Sequence, residues 1–153
     1  MTPSANAPRR RSREAALQVL YALDVPARDA AEGLSPATEV AEETFEAAAA
    51  HFELPPAARA FARELVHGVV AHREKLDPLV GRHATHWRLD RMAAVDRNIL
   101  RLAAYETLYT DTPAAVVIDE AVNLARRFGS DASPAFVNGV LDALARDVRG
   151  ESR

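Results

Sequence analysis

With 153 residues, 48% hydrophobic and 27% charged, the chain is sized for one domain or two small halves sharing a core. It has no cysteine, which excludes disulfides and all cysteine-based metal or thiol chemistry. The net charge of −3 hides an uneven distribution: Arg9, Arg10, Arg11 and Arg13 crowd the start, whereas residues 24–53 set eight acids against Arg28 alone, so an anionic partner met at one place is expected.

Residues 1–8 are small, polar and proline-containing and predict a disordered tail. From Arg9 the apolar spacing of Ala16, Leu17, Leu20 and Leu23 predicts a helix ending near Asp24, ahead of Pro26. Ser35-Pro36 reads as a cap followed by proline at the first helical position, opening an acidic, alanine-rich helix to Phe52. Pro55-Pro56 opens a third helix carrying Phe61, Leu65, Val69, Leu76 and Val80, in which Pro78 predicts a kink or a split.

Met92, Val95, Ile99, Leu102 and Tyr109 trace one face of a fourth helix. Thr112-Pro113 opens a fifth, which ends at Gly129 with Arg126 and Arg127 in its last turn. Ser133-Pro134 opens the last, with Val137, Val140, Leu141, Leu144 and Val148 as its stripe. No segment alternates with period two. The expectation is an all-α fold of about six to seven helices, in an N-terminal half near 9–75 and a C-terminal half near 76–150.

The chemistry concentrates in the arginines. Four in five residues at a helix start can neutralise phosphates, and single-stranded RNA binding would then weaken with salt at a slope of ~0.7 per contact. RNA or another polyanion is one reading; a solvated basic tail without a partner is the other. Phe136, near the start of the last helix, either stacks on a base or joins the core. Glycine inside the apolar stripe of Phe136-Val137-Asn138-Gly139-Val140 predicts close helix approach with a hydrogen-bonded asparagine. His67, His72, His83 and His86 lack a third ligand at metal-binding spacing, so ordinary surface or interhelical histidines are expected, with no metal or other cofactor. Asp96, Asp119 and Glu120 read as caps and ion pairs. No phosphate-cradling, dinucleotide or nucleophile-elbow motif occurs, and no enzyme is expected.

Taken together, these segments resemble the NusB family of bacterial transcription antitermination factors. The opening Arg9-Arg10-Arg11-Ser12-Arg13-Glu14-Ala15-Ala16-Leu17-Gln18-Val19-Leu20-Tyr21 is similar to that family's start. Asp96 through Glu106, PAAVVIDEAVNLA from Pro113, and FVNGVLD from Phe136 resemble its later signatures, in family order; residues 25–55 carry little resemblance. The resemblance implies two three-helix subdomains that bind a boxA-type single-stranded RNA together with NusE, a small-subunit ribosomal protein. Other Nus factors and RNA polymerase would complete the assembly, on ribosomal RNA operons. By motif position Arg9, Arg10, Arg11 and Arg13 should contact RNA, with Phe136 and the 129–135 loop as further contacts; Tyr21, Asp96 and Glu106 fall on the NusE-facing surface. Two positions depart from the family pattern: Asp119 replaces an asparagine, and Ala135 replaces a basic residue. The rivals are a fragment of a ribosomal RNA cytosine methyltransferase, whose N-terminal part this helical domain also resembles, and a helical protein that binds protein alone. No apolar run approaches the ~20 residues of a membrane span, and the arginines are not followed by a secretory apolar segment, so a soluble, cytoplasmic protein is expected.

Overall fold

The computed structural model describes residues 6–24, 37–84 and 88–149. Most of the predicted tail, the Ser35-Pro36 cap, Pro26 and His86 lie outside them. Among the described residues there are seven α-helices, one 3-10 turn and no strand. The chain divides into two compact units, Met1–Ala71 and His72–Arg153.

The first unit holds α1 (Asn6–Asp24), α2 (Ala37–Phe52) and α3 (Pro56–Ala71), each packed on the other two. Helix α1 begins at Asn6, three residues ahead of Arg9, with Pro8 in the first turn where a missing N–H costs nothing. Its buried face carries Ala15, Ala16, Val19 and Leu20; α2 adds Ala41 and Phe45, and α3 adds Phe61, Leu65, Val66 and Val69. Small alanines let the three helices approach one another around the larger Leu20, Phe45, Phe61 and Leu65. Beyond Phe52 the chain turns through Glu53 at φ 47°, the left-handed conformation that commonly stops a helix.

The acids of α2 have a structural task. Glu42 and Glu46 pair with Arg63, and Glu46 also pairs with Arg59. His67 Nε2 lies 2.8 Å from Glu42 Oε1. Arg59 and Arg63 also lie over the Phe45 ring, at 5.5 and 5.2 Å. Side-chain hydrogen bonds from His67 first, then Arg63, hold the Glu42 carboxyl below its ordinary range against the opposing cost of desolvation.

The second unit holds α4 (Arg73–His83), a 3-10 turn (Leu89–Arg91), α5 (Ala94–Tyr109), α6 (Ala114–Phe128) and α7 (Ser133–Val148). The helix expected from Pro55-Pro56 to Val80 is two helices, broken at His72 and not at Pro78. His72 leaves helical geometry (φ −113°, ψ 15°), whereas Pro78 sits inside the short α4. Helix α5 is the centre of this unit. The sequence stripe predicted one buried face, yet every residue from Asn98 to Thr107 is buried, as in a helix enclosed on all sides.

Enclosure forces its polar groups to pair. Arg101 donates to Asp77 through Nε (2.8 Å) and Nη2 (3.0 Å), and to Asn98 Oδ1 at 3.2 Å. Thr107 Oγ1 donates back to Ala103 O at 2.8 Å. Arg149 closes the α5–α6 turn by donating to the carbonyls of Thr107 and Thr112. The His72 ring lies tilted 4.2 Å from that of Tyr109, which in turn stacks 5.3 Å from Tyr105.

Candidate nucleic-acid interface

Two places gather the expected residues, one in each unit. In the first, helix periodicity splits the arginines of α1. Arg9, Arg10 and Arg11 are exposed, whereas Ser12 and Arg13 point inward. Ser12 Oγ lies 2.8 Å from the Ala58 carbonyl and 3.0 Å from that of Pro8, so its hydroxyl ties α1 to the first turn of α3. Arg9 is held over Phe61 of α3, 4.2 Å from the ring centroid. Arg11 Nη2 donates to the Phe52 carbonyl, at the C-terminal end of α2 where a cation complements the helix dipole. Stacking on a ring uses the charge of a guanidinium and leaves its N–H donors for phosphate oxygens. The basic residues of α3 are engaged by Glu42 and Glu46, so the accessible cationic ridge of this unit lies on α1.

Arg13 corrects an expectation. It is 3% exposed, with its guanidinium 5.5 Å from Phe61. A side chain buried beneath the ridge supports it and does not face solvent. Tyr21, in contrast, is among the most exposed large apolar side chains of the described residues, at 42%.

In the second unit, Asp96 and Phe136 line one cleft of about 270 Å³, together with Arg91, Met92 and Ser130. The loop beside it is tightly made. Ser133 Oγ accepts from the Ser130 N–H at 2.9 Å, and a Cβ at Gly129 would come within 2.5 Å of that oxygen. Glycine is required there by close approach. Arg97 Nη1 donates to the carbonyls of Leu89 and Met92, both at 3.0 Å, fixing the 3-10 turn that carries Arg91. Asp96 is the third residue of α5, and its Oδ1 is buried with no hydrogen-bond partner among the described residues.

Two further expectations are corrected. Glu106 is 1% exposed; it lies inside the enclosed stretch of α5 and cannot meet a partner at the surface. Asn138 and Gly139 are exposed, and a Cβ at Gly139 would touch nothing within 4 Å. The glycine therefore does not mark a close helix contact, because it falls on the outer side of α7. Sequence reasoning missed the Arg101–Asp77 pair. A basic residue within a run of apolar neighbours was its only signal. Among the described residues no group of three His, Asp or Glu could hold a metal ion. His67 pairs with Glu42, and His83 Nε2 lies 3.0 Å from Asp147.

Comparison with known proteins decides the family. Residues 10–146 match the NusB family. The chain belongs to the NusB family. The transcription antitermination protein NusB of Myxococcus xanthus is 48% identical over 138 residues, covering 90% of this chain and 94% of that protein. Among solved structures, T. maritima NusB superposes with a TM-score of 0.75 at 35% identity, covering 95% of this chain and 92% of that one. A crystal structure of the antitermination factors NusB and NusE in complex with dsRNA gives a TM-score of 0.77 at 26% identity, covering 92% of this chain and 97% of that one. The NusB family thus accounts for the all-helical fold, and the match runs from the exposed arginines of α1 to the last helix. No described helix is long and apolar enough to cross a membrane.

Proposed function

We propose that this NusB family member is a transcription antitermination factor that binds boxA-type single-stranded RNA jointly with NusE, and that it catalyses nothing itself. Curated relatives bear the antitermination name, and one structural neighbour was crystallised with NusE and RNA. The methyltransferase-fragment reading gives way to that match. The single observation that carries the RNA reading is the ridge of Arg9, Arg10 and Arg11, exposed on α1 while α3's arginines are engaged by acids. Phosphate contacts of this kind set affinity and orientation without reading sequence. Tyr21, exposed lower on the same helix, is the better candidate for the protein-partner face; the buried Glu106 is not. The work belongs in the cytoplasm, beside RNA polymerase and the other Nus factors.

The test is a titration of labelled boxA-type RNA against wild type and an Arg9/Arg10/Arg11→Ala triple variant at several salt concentrations. Each lost phosphate contact should flatten the log–log salt slope by ~0.7. Equal slopes for the two proteins would place the RNA elsewhere, and no binding even with NusE present would leave a protein-binding role alone.

A further inference from the structure

We infer that Arg59 and Arg63 of α3 form a masked extension of the RNA-binding ridge, kept shut by Glu42 and Glu46 of α2. The two carboxylates stand in for RNA phosphates and so limit the number of backbone contacts the chain makes. The inference rests on the RNA-binding reading and adds an internal control to it.

Position comes first. Ser12 of α1 bonds to the Ala58 carbonyl, and Arg59 is the next residue of α3. Arg11 donates to the Phe52 carbonyl at the end of α2. The start of α3 and the end of α2 thus both abut the arginines of α1. Arg63 follows Arg59 by four residues, about 6 Å along the helix axis. The positive charge of the ridge therefore continues onto α3, and what closes it there is α2.

The closure is specific. Glu46 pairs with both Arg59 and Arg63. Glu42 accepts from Arg63 through both carboxylate oxygens, from Nε at 3.3 Å and from Nη2 at 3.2 Å. Both guanidiniums also lie over the buried Phe45 ring, which fixes them beside the acids. Carboxylate and phosphate engage a guanidinium through the same paired N–H bonds, so an arginine taken by one is not offered to the other. The two acids and two arginines cancel in charge, and Glu39 and Glu43 are exposed on the same helix. An approaching phosphate is attracted to α1 and not to the face where α2 meets α3.

The mask sits in the open. Its four side chains are between 36% and 43% exposed. Ion pairs this exposed are individually weak, so neutralising the acids frees the arginines without opening the core.

The experiment measures the salt dependence of binding to labelled boxA-type RNA by full-length variants, with circular dichroism confirming their helix content. Glu42→Gln/Glu46→Gln should steepen the log–log slope by ~1.4, two contacts at ~0.7 each, and tighten binding at low salt at least about fivefold. Glu46→Gln alone releases Arg59 while Glu42 keeps Arg63, and should steepen the slope by ~0.7. Glu39→Gln/Glu43→Gln removes as much charge from α2 but frees no arginine, and its slope should stay at the wild-type value. Adding Arg59→Gln/Arg63→Gln to the first variant should restore that value. An unchanged slope in folded Glu42→Gln/Glu46→Gln, or equal steepening by Glu39→Gln/Glu43→Gln, would overturn the mask and leave the α1 ridge intact. A flatter slope for Arg59→Gln/Arg63→Gln in the otherwise unaltered chain would overturn it too, since those arginines would already be holding RNA. No binding of RNA by wild type or any variant at low salt would sink the RNA-binding reading itself.

Discussion

Arg9 lies over the face of Phe61, its Cζ 4.2 Å from the ring centroid, so a residue of α3 orients a charge carried by α1. The contact joins the core to the surface, since Phe61 is 8% exposed while Arg9 is exposed. It predicts that RNA affinity depends on a side chain that never touches RNA. Phe61→Leu keeps an apolar residue and every positive charge but removes the ring. An exposed cation–π contact contributes ~0.5–1 kcal/mol, so the RNA dissociation constant should rise about two- to fivefold. The salt slope should not change. A shallower slope would show that a phosphate contact itself had gone, against a purely orienting role.

Ser12 makes a second link between α1 and α3, through its bond to the Ala58 carbonyl. Ser12→Ala leaves a buried carbonyl short of a donor and should cost about 1 kcal/mol. A urea titration should show a lower midpoint with an unchanged m-value. A midpoint within error of wild type would mean that water replaces the hydroxyl.

The acidic second helix shows where sequence reading stopped and why. Its excess of Glu over apolar residues was visible, and so was the weak stripe of Val40 and Phe45. What was not visible is that Arg59, Arg63 and His67 fall on the facing side of α3, because that depends on helix rotation and pairing. The same limit applies to Arg13 and Glu106. Motif position put them on working surfaces, whereas their helix faces put them inside. The exposed ridge of Arg9 to Arg11 and the start of α7 were legible, since local caps and short periodicities suffice for those. The cleft that brings Asp96 beside Phe136 needs two elements far apart in sequence.

The Glu42 carboxyl predicts a pH dependence. Its folded-state pKa lies below the unfolded value, chiefly through His67 and then Arg63. A depressed carboxyl contributes stability that is present above the unfolded value of ~4.3 and lost as pH falls through the folded one. Glu42→Gln should therefore destabilise the protein near neutral pH, with the difference from wild type shrinking steadily below about pH 4. The effect is small, because this side chain is 40% exposed and solvent screens the pair. Thermal midpoints of both proteins across that range measure it; a difference that grows on acidification has the wrong sign.

Arg101 is 5% exposed, and Asp77 is its bidentate partner at 26%. Asp77→Ala strands a buried cation, at a cost of about 3 kcal/mol or less given the partner's partial exposure. Arg101→Met with Asp77→Ala removes the stranded charge and should recover most of that loss. A double-mutant cycle checks this, and additive losses would show that the two residues act independently.

Gly129 and Gly139 should respond in opposite directions to the same substitution. At Gly129 a Cβ would meet Ser133 Oγ at 2.5 Å and the Ala125 carbonyl at 2.9 Å. The backbone must move, so Gly129→Ala should lower stability by about 1–3 kcal/mol and disturb the loop beside Phe136. At Gly139 the added methyl has open space in the middle of α7. Alanine there removes the helix penalty of glycine and should raise stability by ~0.5–1 kcal/mol. Chemical denaturation of the two variants separates the cases. A Gly139→Ala variant less stable than wild type would show that the added methyl does not find the open space described.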